Sequence, residues 1–222
     1  IALADIRITQ GRLGEAIKIY DQAFQLSAKH GEPVLPGTAD LHVGLADIVR
    51  EQGDLASATK HLQASTDLGE HMGFPQARHR RHVVTARIRE AEGDLDGALD
   101  ALNEAQRVYV PDFSPDVHPL AARKARVWVR QGRSAEAGAW ARERSLSAGD
   151  DLSYLREFEH ITLAQVLLAQ YKTSHAERSL QAALGLLERL SHAAEAGERT
   201  GSLIAILALQ ALAHQRHGDL LT

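Results

Sequence analysis

The sequence predicts an all-α fold of stacked helical hairpins. Three observations lead there: an internal repeat, a residue that punctuates each repeat, and a composition rich in Ala and Leu with only six Pro. The repeat shows in one comparison. Residues 45–58 read LADIVREQGDLASA and residues 3–16 read LADIRITQGRLGEA, identical at eight of fourteen positions. Anchoring on the punctuating residue gives Gly11, Gly53, Gly93 and Gly132, then Tyr171 in a fifth unit and Gly218 in a sixth, at spacings of 42, 40, 39, 39 and 47 residues.

The other repeated positions explain the unit. Seven residues before each anchor stands Ala4, Ala46, Ala86, Ala125, Ala164 or Ala211, followed two residues on by Ile6, Ile48, Ile88, Val127, Val166 or Ala213. Five residues after the anchor comes Ala16, Ala58, Ala98, Ala137 or Ala176. Each unit therefore reads as helix A, a tight turn, and helix B. Glycine ends helix A because the left-handed cap conformation costs it little. The paired alanines let the two helices approach closely. A short turn makes them antiparallel neighbours. One hairpin cannot bury its apolar stripe, so hairpins must stack into a solenoid with a concave face.

About five and a half units of 39–47 residues fill a single domain over 1–222, with boundaries near 1–31, 38–73, 76–110, 117–149, 151–195 and 198–222. Breaks fall at EPVLPG, GFP, PDFSPDVHP and AGDD. The wide fifth spacing predicts a helix B extended by up to two turns. With Tyr171 in place of Gly, the turn after Gln170 must form otherwise, with Thr173 or Ser174 capping the next helix. The chain begins at Ile1 inside a helical pattern and stops just after HGD, which predicts a piece of a longer protein.

Composition narrows the function classes. The net charge of −4 gives no electrostatic footprint for nucleic acid. With no Cys there is no disulfide framework, thiolate metal site or cysteine nucleophile, which fits a cytoplasmic location. No apolar run reaches the roughly 20 residues that cross a bilayer. No nucleophile–base–acid set can be assembled, so no enzyme activity, cofactor or metal is expected. His79 and His82 in RHRRH are three apart but lack a third ligand, and read as solvated helix surface. Trp128 reads as core, with Trp140 less determined. Adjacent Asp150 and Asp151 read as a helix start.

The pattern of small residue, Gly, Ala, aromatic or Leu, then Ala resembles the tetratricopeptide repeat. The first unit carries it as Ala4, Gly11, Ala16, Tyr20 and Ala23, and the third as Ala86, Gly93, Ala98, Leu102 and Ala105. The usual period is about 34 residues, so these units are longer. Units reading LAxI…QGDLxxAxxxLxxS are similar to those of MalT-like regulators, the large ATP-binding members of the bacterial LuxR group of transcription factors. The wording WARE and YLREFEHITLAQVLLAQ is the least generic part of the likeness. The resemblance implies a right-handed α-α superhelix serving sensing and assembly, between an ATPase and a helix-turn-helix domain. No GxxxxGK[ST] phosphate loop and no recognition helix occurs in this chain. ATP and DNA binding would therefore lie in the parent protein.

In the tetratricopeptide family helix A lines the concave face. Carried over, this places Asp47, Arg50 and Glu51 of the second unit, Arg87 and Glu90 of the third, Arg126 and Arg130 of the fourth and Gln165 of the fifth on that face, with Arg80 and Arg123 beside them. The arginines predict a basic strip for carboxylate, phosphate or sugar-hydroxyl partners. The alternative is that they are solvated or paired with Asp47, Glu51 and Glu90. The Lys and Asn clamp of co-chaperone members is missing, since Val43 stands with Asp47 and Val83 with Arg87. The expected partner is a protein, a peptide or a small-molecule inducer, as in a sensor module, a free-standing scaffold or a peptide-pheromone receptor. The open ends of a solenoid invite self-association. PDFSPDVHP is either a functional loop or a spacer.

Overall fold

The structure, a computed structural model, describes residues 2–30, 35–111 and 115–217. Among them are eleven α-helices, two 3-10 turns and no strand. The chain packs as two compact units, Ile1–Phe113 and Ser114–Thr222.

The first unit holds α1 (Ala2–Thr9), α2 (Leu13–His30), α3 (Thr38–Glu51), α4 (Leu55–Asp67), α5 (Ala77–Glu92) and α6 (Leu95–Arg107). Three hairpins result, and α3 packs on α2, α4 and α5. The turns form as the sequence predicts. Gly11, Gly53 and Gly93 have φ of 73°, 85° and 85°, the left-handed region that penalises any Cβ. The aspartates that follow the second and third glycines then cap the next helix. Asp54 accepts from Ser57 N and Asp94 from Gly97 N, both at 2.9 Å. The paired alanines Ala4 and Ala16, Ala46 and Ala58, and Ala86 and Ala98 are all fully buried.

Two connections of this unit are tied together. Gly37 N donates to Met72 O at 2.7 Å, and Phe74 N to the buried Asp40 carboxylate at 2.7 Å. Thr38 Oγ1 donates to Leu35 O at 2.7 Å, and its oxygen lies 3.0 Å from Ser27 Oγ of α2. Residues 32–34 of the EPVLPG break lie outside the described residues.

The second unit holds α7 (Leu120–Arg130), α8 (Ser134–Glu143), α9 (Glu157–Ser174), α10 (Glu177–Ala196) and α11 (Thr200–His217). Gly132 has φ of 76°, and Ala125 and Ala137 are fully buried. The fifth turn differs from expectation. Tyr171 stays inside α9 and is buried, while His175 takes the left-handed cap at φ 52°. Ser174 Oγ donates to Gln170 O at 2.8 Å and accepts from Ala176 N at 3.3 Å, so it supports the turn that His175 makes. The turn has slid by four residues. Four residues are close to one helical turn, so the packing face of helix A is kept. The partner position slides too. Ala176 is exposed at the cap, and fully buried Leu180 stands five residues after His175. Helix α10 has 20 residues against 13 in α4 and α6, the predicted extension of about two turns, and exceeds the 10-residue α8 by more.

Residues outside the repeat hold the start of α9. Glu157 and Glu159 are buried there. Arg199 Nη2 meets Glu157 at 2.6 Å, and Ser202 Oγ donates to the same carboxylate at 2.6 Å. Arg144 and Arg156 share Glu159 at 2.9 and 3.2 Å. The fully buried His160 faces Arg156 O and Asp150. Asp150 does not start a helix. Its carboxylate accepts from Ser147 N at 3.0 Å within a turn, and α9 begins only after a 3-10 turn at Tyr154–Arg156. Trp140 is buried in the core, whereas Trp128 is partly buried against it.

In α11, Ala213 is buried but Ala211 is exposed beside Leu207 and Leu212. Gly218 lies outside the described residues. Residues 112–114 of the PDFSPDVHP loop also lie outside them.

Close approach makes a prediction. Ala86→Leu adds bulk at a sealed crossing and should cost about 1–3 kcal/mol in urea unfolding. Ala91→Leu, at an exposed position of the same helix, should change stability by no more than about 0.5 kcal/mol. Equal effects would contradict the crossing as the sensitive point.

Candidate functional site

The polar face of the A helices carries the residues that the repeat does not prescribe. In the first unit, α3 and α5 lie side by side. Their facing residues form a set of paired charges. Arg50 Nε meets Asp47 at 3.1 Å and its Nη2 meets Glu51 at 2.5 Å. Arg87 reaches across from α5 to both carboxylates, bonding Asp47 and lying 2.5 Å from Glu51. Two guanidinium groups thus face two carboxylates, and the set is neutral. Pairing with Asp47 and Glu51, the alternative weighed for these arginines, is the arrangement at Arg50 and Arg87. Such half-exposed pairs contribute roughly 0–1 kcal/mol each.

Arg80 sits nearer the start of α5. Its Nη1 is 4.0 Å from Asp40, whose other carboxylate oxygen holds Phe74 N. Burial pushes the Asp40 carboxyl up from its ordinary range, against the opposing pulls of that hydrogen bond and Arg80. The Asp5 carboxyl is likewise raised by burial and lowered by Arg80.

In the second unit, α7 and α9 form the corresponding pair. Here the chemistry is different. The Arg126 guanidinium carbon lies over Phe158, 3.6 Å from the ring centroid. Its Nε donates to Thr162 Oγ1 at 2.8 Å and its Nη2 to Phe158 O at 3.4 Å. Arg123 stands 5.3 Å from the same ring, and its Nε donates to His118 O at 3.3 Å. The His118 ring meets Phe158 edge-on at 4.8 Å. Phe158 is half-buried at the centre of this cluster, and Gln165 is half-buried two turns along α9. Arg130 is exposed at the far end of α7. Arg80 and Arg87 thus belong to one compact unit, and Arg123, Arg126 and Arg130 to the other.

Phe158 was not foreseen. It falls in the less generic wording YLREFEH, which was the available signal. The run RHRRH also has a more definite role than solvated surface. His79 Nδ1 is 2.9 Å from Ala105 O and so satisfies a carbonyl in the last turn of α6. Its ring meets Tyr109 edge-on. An imidazole pair, His42 and His61, faces Nδ1 to Nδ1 at 3.1 Å between α3 and α4. Burial lowers both from the ordinary His range. Among the described residues no group of three possible metal ligands gathers.

Antiparallel hairpins closed by left-handed turns, sealed by alanines and varied on one polar face, define a helical-repeat scaffold of tetratricopeptide type. The chain belongs to the MalT-like TPR region family, which it matches over residues 1–220. Curated proteins with a similar segment include the serine/threonine-protein kinase PknK of Mycobacterium tuberculosis (strains CDC 1551 / Oshkosh and ATCC 25618 / H37Rv) and of Mycobacterium bovis. Each is 39% identical over 59 residues, which is 27% of this chain and 5% of the relative. The similar segment thus spans about a twentieth of those kinases' length. No solved structure matches the chain. No described helix is long and apolar enough to cross a membrane.

Asp40 supplies the prediction of this site. A raised folded-state pKa means stability that is present below the unfolded value near 3.9 and lost as pH rises through the folded one. Asp40→Asn keeps an acceptor for Phe74 N–H and removes the buried charge. Its stability relative to the parent chain should therefore grow between about pH 4 and pH 7. Asp40→Ala, which orphans the N–H, should cost about 1–3 kcal/mol. Parallel stability–pH curves for Asp40→Asn and the parent would contradict the assignment.

Proposed function

We propose that this chain is the non-catalytic sensor and interaction module of a bacterial LuxR-type, MalT-like transcription regulator acting in the cytoplasm. An inducer or protein partner binds the helix-A face and biases the parent protein between a resting and an assembled form. The observation that carries this reading is the Phe158 cluster. Arg126 is held over an aromatic ring by a hydroxyl and a carbonyl, and Arg123 and His118 stand against the same ring. A guanidinium fixed in this way has lost its rotamer freedom before any ligand arrives, which lowers the cost of binding. The combination of ring and cation suits a sugar, a small acid or a peptide side chain.

The PknK likeness favours a second reading, in which the same kind of module serves a serine/threonine-protein kinase as its regulatory segment. Both readings use the module for binding. A free-standing peptide scaffold is the remaining alternative.

The coding sequence on both sides separates the three. An ATPase before and a helix-turn-helix after support the first, and a kinase domain supports the second. A gene holding neither leaves the scaffold. The face itself is tested with a thermal-shift screen of sugars, small acids and peptides, followed by titration of each hit. Arg126→Ala should weaken a true ligand about tenfold or more, the scale of one charge-assisted hydrogen bond. Unchanged affinity of every hit for both Arg126→Ala and Arg87→Ala would remove the face as the site.

A further inference from the structure

A cleft of about 500 Å3 opens in the first unit where the 3-10 turn Glu70–Met72, the start of α5 and the end of α6 meet. Its size falls in the range of small-molecule sites. It lies at the opposite end of α5 from the Arg87 charge set. Arg81, on its wall, precedes Arg87 by six residues, about 9 Å of helix.

The cleft has an apolar part and a cationic part. The apolar part is Phe74, Val108 and Val110, with Phe74 51% and Val110 41% exposed. Phe74 is not a loose surface side chain. Its N–H is fixed by buried Asp40, and its ring lies so close to Gly37 that a Cβ there would come within 3.0 Å of it. The wall beside it is glycine backbone. A Cβ on Gly73 would run into Ala77, and Gly69 has φ of 83°. The fold thus anchors the backbone of Phe74, packs its ring edge beside Gly37 and leaves half of the side chain open to solvent.

The cationic part is Arg78, Arg81 and Arg107. Arg78 pairs with Glu70 at 3.5 Å, and Arg107 pairs with Glu104. Arg81 is half-buried, and among the described residues its guanidinium meets no carboxylate within ion-pair distance. Among the described residues, one positive charge is therefore left over at the edge of an apolar hollow. The neighbouring His82 registers this field. Burial lowers its pKa first, and Arg81, Arg78 and Arg107 lower it further.

We propose that this cleft binds a small amphipathic monoanion, a carboxylate on an apolar body, with the carboxylate on Arg81 and the body against Phe74 and Val110. The single uncompensated charge favours a monoanion over a phosphate monoester, which carries nearly two charges at neutral pH. Two carboxylate oxygens match the guanidinium fork. The site is separate from the helix-A face, so neither reading depends on the other.

The test uses the full 222-residue chain and four probes: 4-phenylbutyrate, 4-phenylbutan-1-ol, phenyl phosphate and acetate. Calorimetry gives affinities, and amide chemical shifts give the location. The acid should bind with Kd at or below about 1 mM and move signals of residues 69–81 and 107–110. The alcohol, phenyl phosphate and acetate should each bind at least about fivefold more weakly. Arg81→Gln should weaken the acid about tenfold and leave the alcohol unchanged. Val110→Asp, at an exposed position, should weaken the acid as well. Four results would overturn the site: no acid binding at about 5 mM, equal affinity for acid and alcohol, unchanged acid affinity in Arg81→Gln and Val110→Asp, or shifts confined to α7 and α9. Capture of an acidic peptide with no binding of the free acid would also overturn it, as a peptide groove.

Discussion

Everything in this structure depends on how closely two antiparallel helices can approach at one crossing. The sealed alanines Ala46 with Ala58, Ala86 with Ala98 and Ala125 with Ala137 set that distance. The left-handed turn between them sets the phase at which the second helix returns. With distance and phase fixed, the apolar stripe of each hairpin points at its neighbour, and the polar stripe of helix A is left for other use. The fifth hairpin shows which constraint is stricter. It gives up glycine at the expected place, slides its turn one helical turn to His175, and substitutes Leu180 for the small partner. A non-glycine residue in the left-handed region costs about 1–2 kcal/mol. The chain accepts that cost and keeps the face.

The repeated letters describe a local packing problem, and for that reason the fold was legible in the sequence. Helix starts at Leu13 and Thr38 and the left-handed glycines at 11, 53, 93 and 132 follow from residues within one hairpin. What was not legible depends on partners distant in the chain. Tyr171 was taken for the anchor because the spacing from Gly132 suited it. Nothing local says that its ring is buried and that the turn comes four residues later. The letters of YLREFEH that depart from the repeat carry a buried network instead. Glu157 takes Arg199 and Ser202 from 42 and 45 residues away. Breaking one partner of such a buried pair costs roughly 3–5 kcal/mol, so these residues fix the start of α9 as firmly as any repeat position.

The candidate sites were legible to different degrees for the same reason. The resemblance to the tetratricopeptide repeat, carried over position by position along helix A, put Asp47, Arg87 and Arg126 on one polar face. Periodicity does not decide what each arginine meets. Arg87 finds two carboxylates and Arg126 finds a ring and a hydroxyl. The difference lies in the neighbouring A helix, with Asp47 and Glu51 on α3 against Phe158 and Thr162 on α9. The cleft beside Phe74 was not legible at all. It is built from a connection, two helix ends and a buried carboxylate, none of which shares a period.

Fold and recognition should therefore rest on separate residues. A saturation scan of one A helix, α5 or α7, with a folding reporter as readout measures this directly. The account predicts that Ala86 and Ala125 accept only Gly, Ser or Ala, while Arg87 and Arg126 accept most residues with little loss of folded protein. Tolerance of Leu or Phe at the alanines, together with loss of folding at the arginines, would contradict it.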